Sequence, residues 1–371
     1  MFTLPDKLTA FTPYEPLTGE YPIRLDVNES YFTLPTEQVV RSVMDIDKIA
    51  LNRYPDPYSS RLINAFADLF ELNPQNVVAG NGSDELIGLI MAGLLSKGDK
   101  VLTLSHDFSM YAFYARLHEL NVDTFYKEDN FEFDVNALAE YVNTNGVKCV
   151  VFSNPCNPTS LGVVKQNVMQ LVKSVKALVI VDEAYMDFWT EDGKEYESVL
   201  SEAASGNHNN LIVLRTCSKS VALAGLRIGF AVSNGAIIRA LNTVKSPFNV
   251  NALSQAIGTA ILSDKVGYRQ AITHIKQSTE DLCFALLGLA RLGIFTYVYR
   301  TRTNFVFAEM ECDDTAQSAY DYLLTKGIAV RRFGRHLRIC AGTRDEMNAL
   351  VKALSQWQIE RLGGELDNEE E

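Results

Sequence analysis

Short apolar runs separated by amphipathic stretches fill the middle of the chain. From residue 100 onward the runs VLTL, TFYK, CVVFS, LVIV and LIVL alternate with segments of helical spacing. The runs are mostly continuous in apolar residues, which is typical of parallel strands covered by helices on both faces. The pattern predicts an α/β fold with a large, mostly parallel sheet, and such sheets bind ligands at the carboxyl ends of their strands.

A second, smaller region follows this alternation. A long helical stretch over about 253–290 leads to four short strands, with one helix near 316–325 and another from Arg344. We predict an N-terminal arm at 1–34, a large domain at 35–262 that opens with a helix at about 35–49, a smaller C-terminal α/β domain at 263–362, and an acidic disordered tail at 363–371.

Composition narrows the classes of function. The chain has 371 residues, 47% hydrophobic and 22% charged, as expected for a folded globular enzyme. A net charge of −12 without any basic run argues against a nucleic-acid partner. The six cysteines stand singly and no histidine lies at ligand spacing, which favours reduced thiols and no metal site. Neither a signal peptide nor a long apolar span is evident, so we expect a cytoplasmic protein without a membrane partner.

A lysine set between apolar strands is the main chemical signal. Lys219 lies in the turn of LIVLRTCSKSVALAGLRIGFAV, residues 211–232. Burial lowers the pKa of an ammonium, and only the neutral amine attacks a carbonyl to form a Schiff base. Arg227, eight residues later, offers a fork of donors that suits a phosphate. A carbonyl together with a phosphate suggests pyridoxal phosphate; from this stretch alone, an ordinary surface lysine and arginine is the alternative.

Other polar and aromatic residues follow predicted strands and would meet at one edge of the sheet. Asp182 follows LVIV, where a carboxylate needs a cationic partner such as a protonated pyridine nitrogen. Asn157 and Tyr185 could hydrogen-bond a ring hydroxyl. Phe108 is placed to stack on a ring face, although an aromatic residue there can equally belong to the core.

The motif GNGSDELI predicts a glycine-hinged turn before a helix. Ser83 is the predicted N-cap, and the free N–H groups of Ser83, Asp84 and Glu85 would favour an anion. The alternative is a well-capped helix that binds no ligand.

Two arginines are predicted to face each other. If Gly334 and Arg335 form a two-residue hairpin turn, Arg331 pairs with Arg338 across the strands. Like charges in that position destabilise a strand pair unless something neutralises them. We expect an anionic group of the substrate beside these arginines; the alternative is that both point into solvent.

With these residues in place, the chain resembles the histidinol-phosphate aminotransferase family, whose members are fold-type I, class II pyridoxal-phosphate-dependent aminotransferases. The resemblance runs from Pro13 to about Thr343, and nine motifs occur in the family's order. They are TPY, LDVNE, NRYPDP, GNGSDELI, NPCNPTS, VDEAYMDF, RTCSKS with LAGLRIGF, TNFV and LRICAGT.

The resemblance implies a role for each site residue. Lys219 would hold pyridoxal 5'-phosphate as an aldimine and move a proton during ping-pong transamination, with Asp182 and Tyr185 as the other catalytic residues. The implied cofactor contacts are Ser83, Asp84, Phe108, Asn157, Asp182, Tyr185, Ser218, Lys219 and Arg227, joined by Tyr54 of the partner subunit in a homodimer. The implied substrate contacts are Tyr14, Arg331 and Arg338.

The implied reaction moves an amino group between histidinol phosphate and 2-oxoglutarate, in histidine biosynthesis. Three departures from the family pattern bear on the substrate: ESYFTLP follows Asn28 in place of a Pro-Tyr-Gly turn, Ser160 replaces a glycine, and Phe108 lacks a hydroxyl. An aromatic amino-acid aminotransferase and a decarboxylase of a phosphorylated amino acid stay open as alternatives. A binding protein without catalysis is disfavoured because Lys219 is present, and a nicotinamide dehydrogenase because GNGSDE lacks the third glycine of GxGxxG.

Overall fold

The computed structural model describes residues 2, 7–8, 11, 17–33, 49–191 and 194–369. The strands are β1 (Ile23–Arg24), β2 (Val77–Asn81), β3 (Lys100–Leu104), β4 (Asn121–Phe125), β5 (Cys149–Ser153), β6 (Leu178–Asp182), β7 (Thr190–Glu191), β8 (Lys194–Glu195), β9 (Leu211–Thr216), β10 (Ile228–Val232), β11 (Tyr297–Val298), β12 (Phe305–Glu309), β13 (Ile328–Ala329), β14 (Arg331–Phe333) and β15 (His336–Cys340). The helices are α1 (Ser60–Phe70), α2 (Ser83–Gly93), α3 (Met110–Leu117), α4 (Val135–Thr144), α5 (Lys165–Ser174), α6 (Leu200–Ala204), α7 (Cys217–Ser220), α8 (Gly235–Val244), α9 (Ala252–Ser263), α10 (Lys265–Arg291), α11 (Asp313–Thr325) and α12 (Arg344–Glu369).

Seven of the described strands form the main sheet, in the order β2-β10-β9-β6-β5-β3-β4. All neighbours run parallel except β10, which is antiparallel to both β2 and β9. Alternate residues of one strand enter different hydrophobic clusters: Val150 and Phe152 pack in one, Cys149 and Val151 in the other. Both faces of the sheet are therefore buried, as the continuous apolar runs predict.

A smaller sheet has the order β11-β12-β15-β14 and its own hydrophobic cluster. Helix α10 serves both parts of the chain: Tyr268 and Ala271 pack in the core of the main sheet, whereas Ile275 and Leu282 pack in the core of the smaller one. The observed pairing of Arg331 with Arg338 confirms the predicted hairpin register. The domain boundary at 262/263 falls beside the end of α9 and stays a prediction.

The N-terminal segment is built into the smaller part. Strand β1 pairs in parallel with β13, and the backbone N–H of Cys340 donates to the carbonyl of Leu25 at 3.0 Å. Residues 23–28 therefore reach the site from the opposite end of the chain.

Some predicted boundaries differ from those observed. The stretch predicted as one helix at 253–290 is divided into α9 and α10. The division falls at Asp264, whose side chain accepts from the N–H of Gly267 and caps the start of α10. Helix α12 continues to Glu369, into the range predicted as a disordered tail. Tyr14 and residues 34–48, nearly all of the predicted helix at 35–49, lie outside the described residues. None of the described helices has the length and apolar character that crossing a bilayer requires.

A close backbone approach fixes the start of α2 against β10. A Cβ atom on Gly229 would lie 2.4 Å from the backbone N of Ser83 and 2.5 Å from the carbonyl carbon of Gly82. Only a glycine allows β10 and the first turn of α2 to meet this closely, so Gly229 positions the Ser83 amide.

We expect Gly229→Ala to lower the free energy of unfolding by roughly 1–3 kcal/mol, because the clash is with backbone atoms that cannot rotate away. Gly225→Ala is the matched control, since a Cβ there meets nothing within 4 Å. Chemical denaturation of both variants checks this, and equal stabilities would contradict the close approach.

Candidate active site

Lys219 lies on the short helix α7, directly after β9. The Thr216 side chain accepts from the N–H of Ser218 and caps this turn. The Lys219 Nζ donates to the carbonyls of Val27, at 3.2 Å, and Asn28, at 2.9 Å. Burial lowers the pKa of Lys219 to about 8. Lys219 therefore loses its proton to become a nucleophilic amine at a pH much closer to neutral than an ordinary lysine does, as its setting between apolar strands predicts.

Asn28 connects this lysine to the rest of the site. It has a left-handed backbone, φ 55°, which asparagine tolerates better than most residues. Its carbonyl also accepts from Asn304 Nδ2 at 3.1 Å, and its Nδ2 donates to the Tyr185 hydroxyl at 2.8 Å. Its N–H donates to Cys340 Sγ at 3.0 Å. The acceptor of the Lys219 amine is thus held by several contacts, and the sequence analysis gave Asn28 no role although it lies in the LDVNE motif.

Asp182 ends β6 as a buried carboxyl group. Its Oδ2 accepts from the Tyr111 hydroxyl at 2.8 Å, and its Oδ1 accepts from the N–H of Ala184 at 3.1 Å. Burial raises the pKa of Asp182 to about 7, although the Tyr111 hydrogen bond opposes that rise. No cationic side chain among the described residues pairs with it, so the site has a buried carboxyl group that an N–H cation of a ligand would stabilise as the anion.

Tyr111 is a site residue that the sequence analysis missed. It lies on α3, three positions after Phe108, and the two rings meet edge to face with centroids 5.4 Å apart. Residues three positions apart lie on the same face of a helix. The predicted stacking role of Phe108 could therefore have pointed to Tyr111 as a second residue that faces the site.

Ser83, Asp84, Ser218 and Arg227 surround the N-terminus of α2. Gly82 is the N-cap and Ser83 is the first helical residue, so the prediction of Ser83 as the N-cap was wrong: the positive φ of 85° that the turn requires suits glycine. Arg227 Nη2 pairs with Asp84 Oδ2 at 3.3 Å, and its Nη1 lies 3.5 Å from Ser218 Oγ. An anion here would meet free N–H groups and a guanidinium, and would share Arg227 with Asp84.

Arg338 is buried beside Asp26, which lies just after strand β1. Its Nη1 donates to Asn157 Oδ1 at 2.6 Å and its Nη2 to the Asp26 carbonyl at 2.5 Å. Its Nε is buried without a hydrogen-bond partner among the described residues. The Asn157 side-chain oxygen is thus engaged by Arg338, so what its amide can offer a ligand is its N–H donors. Arg331 stands opposite Arg338 in register, but the hypothesis of an anion beside them stays a prediction.

Electrostatic interactions link these groups into one site. The charge on Lys219 interacts with those on Arg338 and Arg227, and Tyr185 interacts with Arg338 and Asp182. Tyr54 differs from them: it is 81% exposed and stacks on Phe248 with ring centroids 4.5 Å apart. Tyr14 lies outside the described residues.

Residues 21–354 match the model of the family described as aminotransferase class I and II. The chain belongs to this family. The aminotransferase is 36% identical over 352 residues to the histidinol-phosphate aminotransferase of Clostridium novyi (strain NT), covering 93% of this chain and 94% of that protein.

Solved structures share the fold of the aminotransferase. Histidinol-phosphate aminotransferase from Sinorhizobium meliloti, in complex with pyridoxal-5'-phosphate, has a TM-score of 0.82 at 23% identity and covers 95% of this chain and 97% of that one. L-threonine-O-3-phosphate decarboxylase from Porphyromonas gingivalis has a TM-score of 0.74 at 18% identity, covering 91% and 99%. The predicted fold class, a fold-type I transferase with a large, mostly parallel sheet and a smaller α/β part, is confirmed.

The buried amine gives a pH dependence to the stability of the ligand-free aminotransferase. Because the folded-state pKa of about 8 lies below the ordinary 10.5, the unfolded chain holds the extra proton between these values, and the free energy of unfolding rises with pH through that window. We expect Lys219→Met to lose this rise. Lys173→Met, which removes an exposed lysine of α5, is the control.

Urea unfolding at the two ends of the window measures the effect. An identical rise in wild type and Lys219→Met would contradict the depressed pKa.

Proposed function

We propose that the aminotransferase holds pyridoxal 5'-phosphate on Lys219 and transfers an amino group between histidinol phosphate and 2-oxoglutarate by a ping-pong mechanism. The observation that carries the proposal is the buried Lys219 amine, fixed by backbone carbonyls in the same site as Asp182, a buried carboxyl group that has no cationic partner in the described part of the chain.

The residues present fit this cofactor. Asp182 offers the anion that a protonated pyridine nitrogen needs, and the Asn157 amide N–H groups and the Tyr185 hydroxyl suit a ring oxygen. Phe108 would lie against the ring. A Cβ atom on Gly82 would lie 2.6 Å from Arg227 Nη2, so this glycine lets the guanidinium lie against the start of α2, where a phosphate would meet both. We assign the phosphate contacts to the amides of Ser83 and Asp84, to Ser218 and to Arg227.

When bound, the cofactor supplies a reactive carbonyl and a ring that accepts electrons. Lys219 Nζ would bind at that carbonyl and, when free, would move a proton to and from the substrate α-carbon. Asp182 Oδ would accept from the protonated pyridine nitrogen, and Tyr111 orients that carboxyl group. Asn28 fixes both the resting position of Nζ and the Tyr185 hydroxyl.

We expect Tyr111→Phe to weaken cofactor binding by roughly 10- to 150-fold, because it removes one hydrogen bond to a charged carboxylate, worth about 1.5–3 kcal/mol. Tyr141→Phe is the control: it removes a similar bond, from the Tyr141 hydroxyl to Asp123 at 2.7 Å, elsewhere on the chain. Titration of the apo-proteins with cofactor, followed by absorbance, gives the dissociation constants. Equal dissociation constants for wild type and Tyr111→Phe would show that Tyr111 does not support cofactor binding.

The choice of substrate rests on the relatives and on charge. The Clostridium novyi relative is a histidinol-phosphate aminotransferase, and its similarity covers nearly the whole of both chains. Histidinol phosphate carries a phosphate group where glutamate carries its α-carboxylate, so one cationic site must accept either anion. We assign this task to Arg338, whose buried Nε is unpartnered among the described residues, together with Arg331 and Tyr14.

Shared sites in a homodimer complete the proposal. Leu51, Tyr54 and Tyr58 are 70%, 81% and 63% exposed in one loop region, an apolar surface that a second subunit can cover. Tyr54 of the partner subunit would then contact the cofactor phosphate. The six free cysteines agree with a reducing cytoplasm.

The substrate test is the absorbance of the cofactor-loaded protein during addition of L-histidinol phosphate or L-phenylalanine. We expect histidinol phosphate to convert the cofactor to its amine form, and Arg338→Gln to raise its KM by roughly 30-fold or more, since a desolvated charge contact contributes about 2–5 kcal/mol. Arg332→Gln, on the same hairpin and bonded to the Gly334 carbonyl, should leave KM unchanged.

Conversion by phenylalanine alone would make the protein an aromatic aminotransferase. Release of carbon dioxide from a phosphorylated amino acid would make it a decarboxylase of the kind represented by the Porphyromonas gingivalis neighbour. Thermal unfolding of both arginine variants separates lost binding from lost folding.

A further inference from the structure

A buried lysine–cysteine pair lies beside the candidate active site. Lys127 follows β4 with a side chain only 3% exposed, and Cys156 is 4% exposed. The Lys127 Nζ is 3.3 Å from the Cys156 Sγ but 3.9 Å from the nearer Asp107 carboxylate oxygen. The amine therefore lies closer to the sulfur than to the carboxylate that balances its charge.

Two further contacts hold the amine and the thiol side by side. Lys127 Nζ and Cys156 Sγ both donate to the carbonyl of His106, at 3.4 and 3.2 Å. The Asp107 carboxylate is occupied elsewhere, because it accepts from the backbone N–H of Ser153 at 3.2 Å and from the Ser153 hydroxyl. The direct contact of 3.3 Å between Lys127 Nζ and Cys156 Sγ leaves no room for this carboxylate between them.

A cavity gives a small oxidant access to this pair. It measures about 270 Å³ and is lined by Lys127 and Cys156 together with Asp107, Phe131, Phe133 and Arg302. One water molecule occupies about 30 Å³ of liquid volume, so a peroxide molecule fits beside the sulfur.

We propose that Lys127 and Cys156 are a modification site at which hydrogen peroxide links the two side chains through a nitrogen–sulfur bond. After the thiol loses its S–H proton to solvent, the sulfur attacks one peroxide oxygen as a thiolate. The O–O bond breaks, two electrons pass from sulfur to oxygen, and a sulfenic acid forms. The departing hydroxide takes a proton from the Lys127 ammonium and becomes water.

The neutral amine then attacks the sulfenic sulfur. The N–S bond forms, the S–O bond breaks, and the oxygen leaves as a second water with a proton from the nitrogen. In sum, one ammonium, one thiolate and one hydrogen peroxide give one N–S link and two waters. A thiol reductant reverses the link and returns the amine and the thiol.

The link would lie beside two segments that carry site residues. Cys156 precedes Asn157, whose Oδ1 accepts from Arg338, and the His106 carbonyl precedes Asp107 and Phe108. Oxidation would thus tie the Asn157 loop to the chain that leaves β4, beside the Phe108 segment.

The test is peptide mapping of the cofactor-loaded protein after treatment with hydrogen peroxide. We expect the peptides of Lys127 and Cys156 to be joined with a mass lower by two hydrogen atoms than their sum, with no tryptic cleavage after Lys127. Dithiothreitol should restore both separate peptides. Cys312, an exposed thiol whose pKa is lowered by a hydrogen bond with the Thr315 hydroxyl, reports that the peroxide has reacted.

Lys127→Arg is the matched variant, because it keeps the positive charge but has no nucleophilic amine. Its Cys156 should add oxygen without forming any link. The proposal is overturned if wild-type Cys156 only adds oxygen, or if it stays unmodified while Cys312 is oxidised. A joined pair that retains one oxygen overturns the two-electron step written above.

Discussion

The active site depends on how the charge of the buried Lys219 ammonium is stabilised. Among the described residues, the acceptors of Lys219 Nζ are the backbone carbonyls of Val27 and Asn28, and no carboxylate lies in hydrogen-bonding contact with it. Carbonyl dipoles stabilise the charge less than a carboxylate would, so burial dominates and the pKa falls. The amine is held firmly in position yet gives up its proton readily, which is the combination that a Schiff-base lysine requires.

The parts that follow from local pattern could be predicted from sequence. The strands β5, β6 and β9 are continuous apolar runs, and only a sheet buried on both faces accommodates them. The two-residue turn at Gly334 and Arg335 sets the register of Arg331 and Arg338, since hairpin turn length fixes cross-strand pairing. Lys219 and Asp182 stood out because each placed a charge beside apolar strands.

The parts that depend on contacts between distant segments could not be predicted. Tyr111 reaches Asp182 across 71 residues of sequence. Its place three positions after Phe108 puts it near the site, but that spacing does not identify Asp182 as its partner. Asn28 matters through its left-handed backbone and its contacts with Tyr185 and Cys340, which composition does not reveal. The cap of α2 was assigned to Ser83 because serine is a good cap by type, whereas the turn geometry decided in favour of Gly82.

The placement of Asn28 also has a consequence for biosynthesis of the chain. Its carbonyl receives an amine 191 residues later, and its N–H binds a sulfur 312 residues later, on the last strand. The N-terminal segment leaves the ribosome before Lys219 and Cys340 have been synthesised. The main sheet can therefore form first, before residues 23–28 make these contacts. The amine site is complete only after β15 has been made, and a product truncated before β15 would keep Lys219 while lacking contacts that fix its acceptors.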